Sequence, residues 1–303
     1  MTENCLTAEI AGITFRFHCQ GRRLSCARLE LFEKSSGDTG DAVDIEVKLS
    51  DNGTDEADAE LLFSAKMETT AENEEADWDL LSIPSTREQM IVQRSGARHN
   101  IKCASIRFTP RSATLTISPI RDTGAPVNPL VYPLFNIYLS RILAYRNGFL
   151  VHSSVVKDAD GRGYLFTAKS GTGKSTMAHL FESEGATTVN DDMIAVRTPS
   201  APDGKPTAYS IPMPYYTQQP LKAKLHGIFL ISQSPVNRLA RIGDAEATAR
   251  LLSNVIQQPY DKTAASATLA SVATCATSAR CYALGFRPDT EVVRIIRESA
   301  HGE

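Results

Sequence analysis

Ile10 to Phe17 alternates apolar and polar residues, and Val43 to Leu49 repeats the pattern with Val43, Ile45, Val47 and Leu49 on one face. A period of two predicts half-buried strands. Ile101 to Ile117 returns to strand character with a break at Pro110, so the N-terminal part reads as β-rich. The period then changes. Leu130, Leu134, Ile137, Tyr138, Ile142 and Tyr145 recur at helical spacing, and Gly148 stands where the helix would end. Phe149 to Val156 predicts a strand, Lys157 to Arg162 a turn, and Gly163 to Thr167 a second, more apolar strand. Asp160-Gly161 between two β-rich runs predicts a hairpin.

The turn-rich stretch Arg121 to Pro126 separates these two patterns and predicts a domain boundary. The expected organisation is a β-rich domain over 1–124 and a second domain over 125–303. Composition changes this picture in one place. The net charge of −3 hides a segment, Asp51 to Asp79, with eleven acids against one base, Lys66. That leaves the rest of the chain mildly basic. The segment reads as a solvated, weakly structured insertion in which only Leu61, Leu62, Phe63 and Trp78 offer surface to bury.

With 42% hydrophobic and 22% charged residues the chain is of ordinary globular composition, neither disordered nor collagen-like. No apolar run is long enough for a membrane span, and no basic region followed by an apolar run marks a signal peptide. The six cysteines form no Cys-x-x-Cys pair, which predicts reduced thiols in a cytoplasmic protein. No basic patch with interleaved aromatics suggests nucleic acid, and no histidine pair has metal-ligand spacing.

The apolar strand at Gly163 to Thr167 runs into Ala168-Lys169-Ser170-Gly171-Thr172-Gly173-Lys174-Ser175-Thr176. This matches the phosphate-loop pattern G-x-x-x-x-G-K-[ST] except at its first position, where alanine stands. A helix-compatible run, Lys174 to Glu184, leads out and stops at Gly185. Ser170 to Thr176 are therefore the candidate phosphate-binding residues. Gly171 and Gly173 would let backbone N–H groups turn toward phosphate oxygens. The helix N-terminus would add about half a positive charge. Lys174 would reach the β- and γ-phosphates, and Ser175 would bind Mg²⁺. The alternative is a glycine-rich strand–helix turn that binds nothing.

Thr187-Thr188-Val189-Asn190-Asp191-Asp192 follows that helix directly. In a strand–helix–strand unit both parallel strands end on the same sheet edge, so Asp191 and Asp192 would fall beside the phosphates. Adjacent residues of a strand point to opposite faces. The two carboxylates are expected to divide roles, one holding Mg²⁺ and one facing an incoming hydroxyl. The alternative is an Asp-rich turn before a strand Met193 to Val196. A hairpin centred near Ala159 would set His152 opposite Phe166 or Thr167, at the lip of the loop. There it would hold a phosphate or orient an aspartate, or else be a half-buried structural histidine.

The run Gly148 to Val156 with His152, the phosphate loop, Gly185 and Asn190-Asp191-Asp192 resembles the catalytic core of HPr kinase/phosphorylase and its relatives. The resemblance covers residues 130–198. It extends more loosely over 205–300, through Leu221 to Gln233, Asn237-Arg238-Leu239, Asp244 to Ile256, and Arg280 to Phe286 with Pro288-Asp289. Residues 1–120 carry none of it. It implies an α/β fold of the phosphoenolpyruvate carboxykinase-like P-loop type with a mixed sheet. It also implies that Asp191 accepts the proton of the substrate hydroxyl, that Asp192 helps to hold Mg²⁺, and that His152 stands beside the phosphates. The glycine-rich stretch that marks HPr kinase/phosphorylase proper is replaced here by Tyr209-Ser210-Ile211-Pro212-Met213-Pro214-Tyr215-Tyr216. HPr as acceptor, reverse phosphorolysis and a hexamer are therefore not implied.

The expected activity is an ATP- and Mg²⁺-dependent kinase acting on a serine or threonine hydroxyl of a peptide or protein. Two alternatives stay open: a kinase for a small-molecule hydroxyl such as free serine, and a nucleotide-binding regulatory protein without transfer. Pro212, Pro214, Tyr215 and Tyr216 mark an acceptor loop or a packed loop. The N-terminal domain is expected to recruit a partner or to form a homo-oligomer contact.

Overall fold

A computed structural model describes residues 3–34, 42–52, 56–65, 78–86, 88–93, 100–199, 201, 204–213, 219–257 and 261–301. The chain divides into two units, Met1–Leu139 and Ser140–Glu303. In the first, β1 (Glu3–Ile10) and β2 (Ile13–Gln20) form an antiparallel hairpin. The alternation from Ile10 to Phe17 is therefore not one strand. Ala11 and Gly12 take φ of 54° and 71°, and the chain reverses between them. The alternation changes phase across this turn: Leu6, Ala8 and Ile10 are the buried set before it and Ile13, Phe15 and Phe17 the buried set after it, as pairing across a two-residue turn requires.

A short helix, α1 (Ala27–Glu30), precedes β3 (Val43–Leu49), β4 (Glu60–Ala65), β5 (Trp78–Ile83), β6 (Glu88–Gln93), β7 (Ile101–Phe108) and β8 (Ser112–Pro119). Among the described residues these strands form one sheet in the order β1-β2-β3-β8-β7-β6-β5-β4. It is mixed: β3 runs parallel to β2 and to β8, and the other neighbours are antiparallel. Val43, Ile45 and Val47 are buried, as their alternation requires. The acidic segment holds β4 near its middle and runs into β5. Leu61 and Leu62 stay 63% and 40% exposed on this edge strand, while Phe63 meets Trp78 at 5.4 Å between ring centroids. Residues 66–77 lie outside the described residues. The first residues of α2 (Leu134–Ala144) complete this unit, with Phe135 at 5.9 Å from Phe15 and Tyr138 at 5.2 Å from Phe108.

The second unit takes the last residues of α2 and continues with β9 (Gly148–Lys157), β10 (Arg162–Thr167), α3 (Lys174–Ser183), β11 (Thr187–Arg197), β12 (Thr207–Tyr209), β13 (Lys222–Gln233), β14 (Arg238–Arg241), α4 (Asp244–Leu252), α5 (Lys262–Ser278), β15 (Arg280–Phe286) and α6 (Glu291–His301). Its sheet runs β10-β9-β11-β12-β13-β15-β14. β10 also pairs in parallel with β13, so the first five strands close into a ring. One face packs Val151, Val155, Ile194 and Ile228 against Leu251 of α4 and Val272 and Cys275 of α5. The other packs Tyr164, Phe166 and Phe229 against Met177 and Phe181 of α3 and Val292 and Ile296 of α6. The fold class is thus mixed α/β, with two mixed sheets and few helices.

Two features fix the elements around β9. Gly148 does not end the helix; Asn147 leaves it at φ 54°, and Gly148 opens β9. A Cβ on Gly148 would stand 2.6 Å from the Val196 carbonyl oxygen, so glycine is needed for the close approach of β11. Arg141 of α2 is 1% exposed and pairs with Asp261, whose other oxygen caps α5 by accepting from Thr263 N at 2.9 Å and Ala264 N at 3.0 Å. All six cysteines are free thiols. Among the described residues no helix is long and apolar enough to cross a membrane.

Candidate functional site

β10 ends at Thr167 and α3 begins at Lys174, so the phosphate-loop motif lies in a strand–loop–helix frame. Gly171 and Gly173 take φ of 76° and 114°, the left-handed region that favours glycine. Gly173 is confined further, since a Cβ there would meet Phe286 Cζ at 2.7 Å. Thr172 Oγ1 donates to Lys169 O at 2.8 Å and braces the loop from within. Lys174 is only 7% exposed, and its ammonium donates to Ala168 O at 3.1 Å and Lys169 O at 3.3 Å. Burial pushes the Lys174 ammonium below the ordinary lysine range, and the negative charges of Asp191 and Asp192 oppose that shift. Ser175 and Thr176 are exposed in the first turn of α3, and Ser170 and Gly171 at the loop surface.

The hairpin forms as expected, with Gly161 at φ 87° in the turn, but its register is shifted. Phe166 pairs with Ser154 and Thr167 with Ser153, so His152 lies one residue beyond the last pair. It still reaches the lip: Thr167 Oγ1 donates to His152 O at 3.0 Å. The turn spans 158–161 and is centred later than Ala159, which moves every partner along.

The acidic pair is not a turn between two strands. Asn190, Asp191 and Asp192 lie inside β11, which pairs antiparallel with β9 from Thr187 to Arg197. β9 is therefore interposed between β10 and β11, so the strands flanking α3 are parallel in direction but not neighbours. The carboxylates reach the loop through a distortion of β11. Its register slips between Thr188 and Asn190, and Asp192 takes φ 139°. Asn190, fully buried, spans this irregularity: Nδ2 donates to Met193 O at 2.7 Å and Oδ1 accepts from Asp191 N at 3.0 Å. Asp192 Oδ1 then lies 3.0 Å from His152 Nδ1. The structure thus brings Asp192 and His152 together, and Asp191 and Asp192 lie near enough to Lys174 for their charge to oppose the effect of its burial.

A cleft of about 520 Å³ borders the loop, lined by loop residues Thr167 to Thr172, by Leu230 to Gln233 at the end of β13, and by Arg250, Ser253 and Asn254. Arg250, Asn254 and Gln233 were not among the residues expected from the sequence. They carry no motif, and only the closure of β10 on β13 and the position of α4 bring them to the loop. Pro214, Tyr215 and Tyr216 lie outside the described residues, and Pro212 lies at the end of a described loop.

The donor set also bears on metal binding. Ser175 offers a hydroxyl and Asp191 and Asp192 offer carboxylates, all hard oxygen donors. That suits Mg²⁺, which takes one or two carboxylates together with phosphate oxygens. Among the described residues no group of three or more His, Cys, Asp or Glu forms a separate metal centre.

No family model matches the sequence, and no curated protein matches it. Among solved structures the chain is similar to the HPr(Ser) kinase/phosphatase from Coxiella burnetii, at 12% identity and a TM-score of 0.29, over 50% of this chain and 99% of that one. At that TM-score the likeness supports neither residue roles nor an activity.

Proposed function

We propose that this protein is an ATP- and Mg²⁺-dependent kinase of the HPr kinase-like, phosphoenolpyruvate carboxykinase-like P-loop type. Its acceptor is a serine or threonine hydroxyl of a peptide or protein, and its setting is cytoplasmic. One arrangement supports this reading: the buried Lys174 ammonium at the start of α3 is held at the loop carbonyls of Ala168 and Lys169, and Asp192 of the strand that follows α3 lies 3.0 Å from His152. A glycine-rich turn without function would have no reason to face two carboxylates and a histidine.

The loop N–H groups and the first turn of α3 hold the nucleotide phosphates. Lys174 exchanges its bonds to the Ala168 and Lys169 carbonyls for phosphate oxygens, and its low exposure strengthens that attraction. Ser175 and Asp192 are the residues that would hold Mg²⁺, which when bound offsets charge on the transferring phosphoryl group. His152 orients Asp192. Asp191 accepts the proton of the acceptor hydroxyl, so that positioning and electrostatics supply most of the acceleration.

The test is transfer from γ-labelled ATP to a panel of serine- and threonine-containing peptides and to free serine, alongside calorimetric titration with Mg²⁺-ATP. Lys174→Ala is expected to abolish nucleotide binding, and Asp191→Asn to retain binding but lose transfer. Transfer retained in Asp191→Asn removes the base assignment. Unchanged affinity in Lys174→Ala removes the phosphate-loop reading.

A further inference from the structure

The cleft beside the loop has the size of a small-molecule site, which typically spans about 300–1,000 Å³. It lies beyond the carboxyl ends of β10 and β13, two neighbouring parallel strands. None of Lys174, Asp191, Asp192 and His152 lines it. The cleft lining and the candidate reacting groups are therefore different sets of residues.

The walls of the cleft are tied to the sheet. His152 N donates to Asn254 O at 2.8 Å, Ile256 N donates to Leu150 O at 2.9 Å, and Val255 bridges Val151. The stretch after α4 is thus stitched to β9, the same strand that carries His152. The lining is mixed in character. Leu230 and Ile231 give an apolar floor. Ser232 and Gln233 are exposed, and their side chains have no hydrogen-bond partner among the described residues. Arg250 stands opposite, bonded to Glu246 at 3.1 Å and 42% exposed. An amide that both donates and accepts, hydroxyls, an apolar floor and one guanidinium suit a nucleoside. A base edge presents donors and acceptors together, and a ribose adds hydroxyls.

We propose that the cleft between the phosphate loop and the C-terminal end of α4 holds the nucleoside half of the nucleotide, with Gln233 reading the base edge. The acceptor then approaches Asp191, which does not line the cleft. This rests on the phosphate-loop reading above, and the test separates the two.

Wild-type protein and the variants Ser232→Trp, Ser253→Trp, Gln233→Ala and Lys174→Ala are titrated by calorimetry with Mg²⁺-ATP and with Mg²⁺-tripolyphosphate, which has the phosphates but no nucleoside. Ser232 and Ser253 are exposed on opposite walls, so an indole at either fills the cleft without entering a core. Each is expected to weaken ATP by about tenfold or more, while tripolyphosphate stays within about twofold and reports an intact loop. Gln233→Ala is expected to narrow the preference among ATP, GTP and CTP. The cleft proposal is overturned if both tryptophan variants keep wild-type ATP affinity, or if each weakens the two ligands in parallel. If wild-type protein binds neither ligand, or Lys174→Ala binds both normally, the phosphate-loop reading fails and takes this proposal with it. If Lys174→Ala loses both ligands while the tryptophan variants keep ATP, only the cleft assignment falls.

Discussion

Gly173 is the residue at which backbone conformation and packing most sharply restrict substitution. It caps α3 at φ 114° and ψ 26°, and a Cβ would stand 2.7 Å from the Phe286 ring. Phe286 is 3% exposed, so its ring has little room to swing away. Gly173→Ala therefore meets two separate penalties. Holding a non-glycine residue in this region costs about 1–3 kcal/mol. Forcing a methyl group against a packed ring costs about 1–3 kcal/mol more. The sum is about 2–6 kcal/mol. The two parts separate in a double-mutant cycle with Phe286→Leu. The double variant recovers the steric share, about 1–3 kcal/mol, and retains the backbone share. The single tryptophan, Trp78, lies in the other unit, so its fluorescence is the wrong probe. Hydrogen exchange of the β10 and α3 amides reports the right unit. Mg²⁺-ATP affinity, measured in parallel, is expected to fall in Gly173→Ala and to recover in part in the double variant. A Gly173→Ala protein within about 0.5 kcal/mol of wild type, or two substitutions that add within that margin, would refute this account of the loop.

Three further outcomes follow from neighbouring contacts. Asn190→Ala removes the brace across the irregular part of β11; it is expected to destabilise by about 1–3 kcal/mol and to lower phosphoryl transfer more than nucleotide affinity, as steady-state kinetics with separate titrations would show. Asp261→Ala leaves the buried Arg141 guanidinium without its carboxylate and α5 without its cap, at about 3–5 kcal/mol in chemical unfolding, while Asp261→Asn keeps the capping oxygen and isolates the charge. Burial pushes the Asp261 carboxyl up, but the Ala264 amide and the Arg141 guanidinium outweigh it and hold it below the ordinary range. The stability it contributes is therefore complete above the unfolded-state value of about 3.9 and is lost as pH falls through the folded value, so the gap between wild type and Asp261→Asn should narrow only in strong acid. Gly148→Ala drives a methyl group to 2.6 Å from the Val196 carbonyl, and a loss of about 1–3 kcal/mol in thermal or chemical unfolding is expected.

Much of the second unit is legible in local sequence. The hairpin of β9 and β10, the loop glycines and the extent of α3 up to Gly185 all follow from short-range rules, because each depends on backbone conformations that a few residues decide. The errors also have local causes. The turn at Ala11-Gly12 shows only as a one-residue change of phase between Ile10 and Ile13, which is easily read as one strand. Gly148 looks like a helix end because its true constraint, the Val196 carbonyl of β11, is remote in sequence. The acidic pair reads as the end of a strand, with an Asp-rich turn as the alternative, whereas β11 carries it through to Arg197 as a distorted strand braced by Asn190.

The sequence by itself determined the chemistry on offer: a loop whose glycines can point N–H groups at phosphate, a lysine at a helix start, and two adjacent carboxylates. Those are properties of residue type and short spacing. Only the tertiary structure decided what that chemistry faces. The interposed strand β9, the slip in β11 and the φ of Asp192 bring His152 and Asp192 to 3.0 Å, and the pairing of β10 with β13 opens the cleft under Arg250 and Gln233. Strand order and register join residues far apart in the chain, and no short-range pattern encodes them.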